Sequence, residues 1–410
     1  MAKRTFKGTK IACYIGYFVQ AIINNLAPLL FVIFSDKYKI DLATIGSLIM
    51  LNFATQMAID ILSVKIIDKI GFKKITVCSH FLAFLGLVML GILPELTSHH
   101  FLAIAVSIMV SAVGSGIIEV TISPIVESLP SDKKAADMSL LHSFYCWGQM
   151  LVVALSTVFI KLAGGENWNI LPIIWSVIPL INMFNFMSVP FMPPIEDDKI
   201  IPVKKLLKSK AFIVAMIIMF CAGASEIAMS QWSSFFAEEG LHVSKLMGDL
   251  LGPCLFAVLM GAGRLFYGIY GDKIDLVKIM STLSVLCIAC YLTASLSNNS
   301  TVSLLACAVT GLSISLFWPG TFSLAAKRFP NGSGGLFGIL ALLGDIGCGT
   351  GPWLISFISS AYKSANPALS EGAALKSGLA YGCIFPIILI IGLIVLKKDT
   401  DKADKAKTNK

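Results

Sequence analysis

Charged residues are scarce in this chain. Asp, Glu, Lys and Arg make up 14% of its 410 residues and hydrophobic residues 56%, whereas soluble globular domains carry about a quarter charged residues. Apolar stretches of roughly 20 residues, long enough to cross a hydrocarbon core of about 30 Å, recur along the whole chain. This composition excludes a soluble globular domain and predicts an all-α, multi-pass integral protein of the cell membrane.

Motifs for metal, redox and nucleotide chemistry are also lacking. The five histidines show no metal-ligand spacing, and the ten cysteines lie in or beside apolar runs, which is typical of small buried side chains. Cys287 and Cys290 form a CxxC pair, but within an apolar span and without a nearby histidine. No Walker loop, HExxH or GxSxG motif occurs. We therefore expect no cofactor, no metal, no ATP-driven step and no enzymatic activity.

The distribution of positive charge predicts the orientation. With a cytoplasmic N-terminus, the Lys and Arg residues on the outer side are Lys37, Lys39, Lys161, Lys245, Lys363 and Lys376, a small share of the 32 in the chain. The positive-inside rule then places both termini in the cytoplasm. This bias accounts for the net charge of +8 without a nucleic-acid partner. The twelve predicted spans are 11–34, 41–63, 75–94, 101–127, 138–162, 169–192, 211–236, 246–270, 278–296, 301–326, 333–361 and 377–396.

A charged segment in the middle of the chain predicts two halves. Residues 195–210 read as a cytoplasmic linker between an N-terminal six-helix bundle, 1–194, and a C-terminal six-helix bundle, 211–397, with a polar cytoplasmic tail at 398–410. Parallel halves of this kind are typical of secondary transporters, which bind their substrate near the bilayer midplane at the interface of the repeats.

A single carboxylate interrupts the fourth predicted span. Glu119 lies in a run of some two dozen apolar residues, beside only a small-residue patch and Ser123. Ionisable side chains in membrane spans usually face other helices or a watery cavity, and they mark ion or substrate paths. The alternative is that Glu119 hydrogen-bonds a neighbouring helix as structural glue, although Ser, Thr, Asn and Gln serve that role more often.

Two further acids and a histidine lie within predicted spans. Glu226 and Asp345 are near the middle of the seventh and eleventh spans, and His142 is near the cytoplasmic end of the fifth. A partly desolvated carboxylate can take up a proton near neutral pH and release it when its cavity opens to the other side. We expect these three acids to carry proton coupling. His142 either joins the relay or bonds to a neighbouring helix.

Amide and indole side chains in the spans are candidates for binding a sugar or polyol. Planar amides match hydroxyl groups and aromatic faces cover C–H surface, although Trp is also common in helix packing and at membrane interfaces. Trp318 is the strongest of the indoles, because Pro319 beside it predicts a helix break that is tolerated only where backbone faces protein or a cavity. The candidates are Asn24, Asn25, Gln149, Gln231, Trp147, Trp232 and Trp318.

Two loops repeat one pattern at matching places in the two halves. Asp-Lys-Ile follows the second span and recurs after the eighth, and a charged residue precedes each Asp by eight positions. The pattern resembles the cytoplasmic loop motif of the major facilitator superfamily, in which a Gly, an Asp and a basic residue help to latch the two halves. The second copy fits fully, whereas Val64 occupies the Gly position of the first. The resemblance implies a gating role for Asp60, Asp68, Lys69, Arg264, Gly268, Asp272 and Lys273.

Within that superfamily the chain is most similar to the fucose-permease-like branch of sugar:proton symporters. Residues 24–26 resemble the Asn-Asn-Leu of the first span in that branch, and Glu119 resembles its fourth-span acid. Pro28 stands where that branch carries an acid shortly after Asn-Asn-Leu, so a relay of two carboxylates does not carry over unchanged. Segments similar to the fifth, seventh and tenth spans of the branch are 139–148, 223–232 and 311–330.

The resemblance implies a major facilitator fold of twelve transmembrane helices and transport by alternating access. The expected function is proton-coupled symport of a sugar or related small polar solute, by a monomer whose partners are the solute, protons and the lipid bilayer. The alternative is a proton-coupled exporter or exchanger of a charged or amphipathic organic compound. A substrate sensor with a transporter fold is disfavoured, because such proteins normally carry a sizeable soluble signalling segment.

Overall fold

The structure of the protein is a computed structural model, and it describes residues 6–40, 42–193, 199–235 and 250–408. The elements of these described residues are helical. They are α1 Phe6–Leu29, α2 Phe31–Tyr38, α3 Leu42–Ile70, α4 Phe72–Leu96, α5 His100–Ser128, α6 Lys134–Ala163, α7 Ile170–Ser188, α8 Val203–Leu206, α9 Lys210–Phe235, α10 Leu255–Tyr270, α11 Leu276–Leu296, α12 Ser300–Ile314, α13 Phe317–Arg328, α14 Ser333–Ala365, α15 Glu371–Tyr381 and α16 Ile384–Thr408, with short helical turns at Gly165–Asn167, Leu250–Cys254 and Gly271–Lys273.

Eleven helical segments of the described residues are long and apolar enough to cross a membrane. The second predicted span lies in α3, where the apolar stretch Ser47–Leu62 is shorter than the others. The eighth predicted span begins at 246, and its first residues, like the C-terminal residue of the seventh, lie outside the described residues. The helices make the chain a multi-pass membrane protein. The count of twelve spans and the orientation of the termini stay predictions.

Several predicted spans are divided into two helices next to a proline. The first becomes α1 and α2, which meet at Leu30, two residues after Pro28. The tenth becomes α12 and α13, and Pro319 is the third residue of α13. The last divides in the same way into α15 and α16. Because proline has no backbone N–H and its ring crowds the preceding turn, a helix ends or bends on its N-terminal side, as before Pro319. The boundary at Leu30 lies instead on the C-terminal side of Pro28.

The first compact unit contains the chain up to Ser131, Phe144–Ile200 and Ser333–Ile339. Its helices α1, α3, α4, α5 and α7 pack around a core that includes Trp168. Backbones approach closely where α4 crosses α5, since a Cβ added at Gly86 would lie 2.4 Å from the amide nitrogen of Ser111. Small residues allow this approach, which favours dispersion contacts where lipid supplies no hydrophobic driving force.

The second compact unit contains Asp132–Ser143, Ile201–Gly332 and Leu340–Lys410. Helix α9 packs in it against α12, α13 and α16. Helix α14 also reaches α9 closely, because a Cβ added at Gly347 would lie 2.1 Å from the carbonyl oxygen of Phe220. The first turns of α6 belong to this unit and the rest of α6 to the other. The bundle limits 1–194 and 211–397, with the linker and the tail, stay predictions.

Candidate functional site

Glu119 is a buried acid of the first unit, and an amide holds it. Its side chain on α5 is 7% exposed, and its Oε2 accepts a hydrogen bond of 2.8 Å from Nε2 of Gln20 on α1. Four residues further along α5, Ser123 shares a hydrogen bond of 2.8 Å with the Tyr17 hydroxyl. Both contacts join α1 to α5 within the hydrophobic part of the unit.

Regular spacing on two antiparallel helices creates this contact. Tyr17, Gln20 and Asn24 lie at helical spacing along one face of α1, and Ser115, Glu119 and Ser123 lie four residues apart along one face of α5. Because the helices are antiparallel, Tyr17, which comes earlier in α1, contacts Ser123, which comes later in α5, and Gln20 contacts Glu119. These six residues, with Asn52 and Gln56 of α3, are called the polar ladder below.

Helix α3 completes the polar ladder at Asn24. The Oδ1 of Asn24 accepts hydrogen bonds from Nδ2 of Asn52, at 3.2 Å, and from Nε2 of Gln56, at 3.1 Å. The Oε1 of Gln56 in turn accepts a hydrogen bond of 2.9 Å from Ser115 Oγ. Asn25 takes no part in these contacts, because its amide donates to the carbonyl of Ala21 on its own helix.

The second unit contains an ion pair between a buried arginine and a partly buried glutamate. Arg264 of α10 is 3% exposed, and its Nη2 lies 3.3 Å from Oε2 of Glu226 on α9. Its Nε donates to the carbonyl of Ser315 at 3.0 Å. Ser315 lies in the break between α12 and α13, where the backbone carbonyls have lost their helical partners. The break thus supplies an acceptor for the buried guanidinium.

The start of α6 belongs to the same cluster. The carbonyl of His142 accepts a hydrogen bond of 3.3 Å from Nη1 of Arg264, and Ser139 Oγ donates to the Arg264 carbonyl at 2.8 Å. The His142 ring is buried and packs 5.8 Å from the ring of Phe322. A hydrogen bond from the His142 side chain to a neighbouring helix and its role in a proton relay both stay predictions.

Asp345 and two of the predicted tryptophans lie in the second unit. Asp345 is 9% exposed on α14. The indole of Trp318 covers Gly344 beside it, since a Cβ added there would lie 2.2 Å from Trp318 Cη2. Trp232 Nε1 donates to the Pro352 carbonyl at 3.2 Å, which ties α9 to α14. The Trp318 ring thus lies against the residue that precedes Asp345. The Trp232 ring contacts the backbone of α14.

The remaining predicted binding residues are only partly placed. Trp147 and Gln149 are half-buried on α6 in the first unit. Gln231 falls on α9, but its side chain lies outside the described residues.

The second copy of the loop motif is fully described. Asp272 pairs with Lys133 at 2.8 Å, and Lys273 beside it is exposed. A Cβ added at Gly268 would lie 2.8 Å from Cβ of Leu140, so glycine permits the start of α6 to approach α10. Solvent-exposed ion pairs contribute little to stability, and the gating role of the motif stays a prediction.

The first copy of the motif is described in part. Asp60 is buried and Lys69 exposed at the two ends of this stretch of α3. The side chains of Val64 and Asp68 lie outside the described residues. Arg264, which the sequence pattern aligned with Asp60, is an interior residue bonded to Glu226 in the second unit.

Sequence reasoning missed three amides of the polar ladder. Gln20 lies four residues before Asn24, and Asn52 lies four residues before Gln56, in apolar helices. Residues at this spacing share a helix face. The pairing of polar residues four apart in apolar spans is the signal that points to them.

Membrane-length helices, a buried carboxylate held by an amide and a buried ion pair define a multi-pass membrane protein of the transporter class. The Major Facilitator Superfamily model matches residues 13–352. The chain belongs to this superfamily, as its loop motif and spans predict, and it is a transporter rather than an enzyme. Comparison with curated protein sequences gives no match.

Solved structures agree with this fold. The Escherichia coli fucose:proton symporter FucP has 16% sequence identity and a TM-score of 0.79, over 96% of this chain and 99% of that one. The proton:xylose symporter XylE has 12% identity and a TM-score of 0.78, over 96% of this chain and 95% of that one. The human organic anion transporter MFSD10 has 12% identity and a TM-score of 0.74, over 95% of this chain and all of that one. At these identities the likeness shows the fold.

Proposed function

We propose that the protein is a proton-coupled symporter of a sugar or a related small polar solute that works by alternating access. The observation that carries the proposal is the Gln20–Glu119 contact, a carboxylate buried in a membrane protein and held by a neutral amide. The fold shared with fucose:proton and proton:xylose symporters supports it. Protonation neutralises a carboxylate at such a position, where an ionised side chain is costly.

Gln20 suits both protonation states of Glu119. Ionised, Glu119 accepts a hydrogen bond from Gln20 Nε2. When Glu119 is protonated, its carboxyl group becomes a donor. A half-turn of the Gln20 amide then brings its Oε1 toward that donor. Among the described residues this Oε1 has no other donor. The pair therefore stays hydrogen-bonded as the proton binds and leaves. The charge is absent in the occluded step, where burying it costs most.

The amides of the polar ladder suit a neutral, hydroxyl-bearing solute. Asn24 and Asn25 are half-buried on α1, close along the chain to Gln20. Amide groups both donate and accept, as hydroxyl groups do. We place the protein in the cell membrane, as a monomer with both termini in the cytoplasm.

A second candidate is an exporter or exchanger of a charged or amphipathic organic compound. The Arg264–Glu226 pair favours it, because a buried arginine offers a charge and several donors to an organic anion that displaces Glu226. The organic anion transporter with the same fold is consistent with this candidate.

Uptake into proteoliposomes separates the two candidates. Radiolabelled L-fucose, D-xylose and D-glucose are offered with and without an inward proton gradient to the wild type and to Glu119→Gln. We expect gradient-driven accumulation of at least one sugar by the wild type. Glu119→Gln keeps a polar side chain for Gln20 but binds no proton, so its accumulation falls to the level without a gradient, while exchange of internal for external sugar persists.

Glu166→Gln is the matched control, because Glu166 is exposed in a loop of the first unit and its substitution should leave accumulation intact. Equal gradient-driven accumulation by Glu119→Gln and the wild type contradicts the role of Glu119. If no sugar moves in any condition, symport of sugar is wrong, and efflux of organic anions and cations is measured instead.

A further inference from the structure

A narrow pocket opens beside the polar ladder in the first unit. It lies between α1, α2, α3 and α5, and aliphatic and aromatic side chains line it, including Phe31 and Phe53. Its polar lining residues are Asn24 and Asn52. The space admits about one group of the size of a water molecule. A whole sugar does not fit, but one hydroxyl group projecting from a larger solute does.

Asn52 has an unmet hydrogen bond at this place. The residue is 8% exposed. Its Nδ2 donates to Asn24, but its Oδ1 is buried and has no donor among the described residues. A buried acceptor that is left unsatisfied destabilises the state that contains it. A buried amide oxygen without a donor among the described residues, in the wall of a pocket, indicates a place where a bound group supplies the donor.

A turn of the Asn52 amide would leave Asn24 Oδ1 with a donor. Asn24 Oδ1 has two donors, so it keeps the 3.1 Å hydrogen bond from Gln56 when the Asn52 amide rotates. The Nδ2 of Asn24 makes no hydrogen bond to the described residues. Rotation of Asn52 therefore produces a pair of amides, one donating through Asn24 Nδ2 and one accepting through Asn52 Oδ1.

We propose that this pocket is a hydroxyl subsite and that Asn52 is a specificity-determining residue for the transported solute. The inference rests on the proposed function. A hydroxyl group satisfies both amides, because it donates to Asn52 and accepts from Asn24. An ammonium group has no lone pair for Asn24, and no carboxylate lines the pocket. Phe31 and Phe53 cover the carbon that bears the hydroxyl group.

Deoxy-sugar discrimination tests the subsite. The sugar of the panel with the highest wild-type uptake is used together with its monodeoxy analogues, and KM is measured for the wild type and Asn52→Leu. We expect one analogue to show a KM about tenfold higher than the parent sugar in the wild type, the loss of about one hydrogen bond. In Asn52→Leu we expect the parent sugar and this analogue to have the same KM. For the other analogues, the ratio of their KM to that of the parent sugar should be the same as in the wild type.

A second variant and a control distinguish the subsite from a loss of folding. Asn52→Asp keeps an acceptor oxygen at the same position, so it should retain the preference for the parent sugar over the deoxy analogue. Asn185→Leu removes a half-buried amide on α7 of the same unit and should leave every ratio unchanged.

Three outcomes are decisive. If Asn52→Leu raises KM for the parent sugar and all analogues by one common factor, or leaves all of them unchanged, the pocket holds a bound water only and the proposal is overturned. Loss of one analogue's discrimination alone supports it. If the wild type takes up no sugar, the proposed function fails first, and the subsite fails with it. If the wild type takes up sugar and Asn52→Leu leaves the KM ratios of the analogues to the parent sugar unchanged, only the subsite is overturned.

Discussion

Single residues of the polar ladder combine a structural role with a proposed functional one. The hydrogen bond between Gln20 and Glu119 joins two helices, as the glue interpretation expects, and it also stabilises the ionised carboxylate. Hydrogen bonds to charged groups contribute about 1.5–3 kcal/mol, more than neutral amide contacts. The interaction therefore depends on the protonation state, and helix packing alone does not.

Gln20→Leu should extend uptake to higher external pH than in the wild type. The substitution keeps the volume of the side chain but removes the donor that stabilises ionised Glu119, so the ionised state loses about tenfold or more in population relative to the protonated state. Proton binding from the outside is therefore favoured, while proton release on the inner side becomes harder. Initial uptake rates are measured from acidic to alkaline pH. A reduction by the same factor at every pH contradicts this prediction and assigns Gln20 to packing alone.

At the scale of elements, helix breaks supply polar groups to the interior of the second unit. The interruption between α12 and α13 leaves the Ser315 carbonyl for Arg264, and the start of α6 adds the His142 carbonyl. The guanidinium thus connects α6, α9, α10 and the break through different donors. Arginine is suited to this position because its planar fork presents five donors.

Arg264→Leu should destabilise the protein more than Glu226→Gln does. Removing the arginine leaves a buried carboxylate without its cation and two carbonyls without their donor, and breaking a buried pair from one side costs about 3–5 kcal/mol. Glu226→Gln retains an acceptor for Arg264. We expect the double variant to be less destabilised than the sum of the single variants. Thermal unfolding of the purified proteins in detergent measures this coupling, and additive effects would show that the pair contributes none.

At the scale of the whole molecule, charge asymmetry predicts how the chain lies in the membrane. Both termini are expected in the cytoplasm, because Lys and Arg are concentrated in the segments of that side. The helices of the described residues agree with a chain that crosses the membrane many times.

Terminal tags test this orientation. A cleavable epitope at either terminus should resist external protease in right-side-out vesicles and be removed in inside-out vesicles. Cleavage of either tag in sealed right-side-out vesicles, with a luminal marker intact, would show that the number of spans or the orientation is wrong.

Much of this architecture is local in origin and could be predicted. Segments near 20 apolar residues predict spans because the bilayer thickness sets their length, and Pro319 predicts a break because proline lacks an N–H. The loop motif predicts the superfamily, which the family comparison confirms. The site was predicted in part. Glu119 is conspicuous because a charge is costly in an apolar run, whereas Gln20 and Asn52 are ordinary amides whose importance depends on their partners.

The sequence by itself therefore determined the class of the protein, the positions of most helices and the identity of the costly acids, because these follow from the transfer of side chains from water to lipid, one segment at a time. Only the tertiary structure decided which groups meet. Gln20 reaches Glu119 across 99 residues of chain, and Arg264 reaches Ser315 across 51. Such contacts depend on the register and crossing of helices, which the packing of many side chains sets together. No local pattern records them.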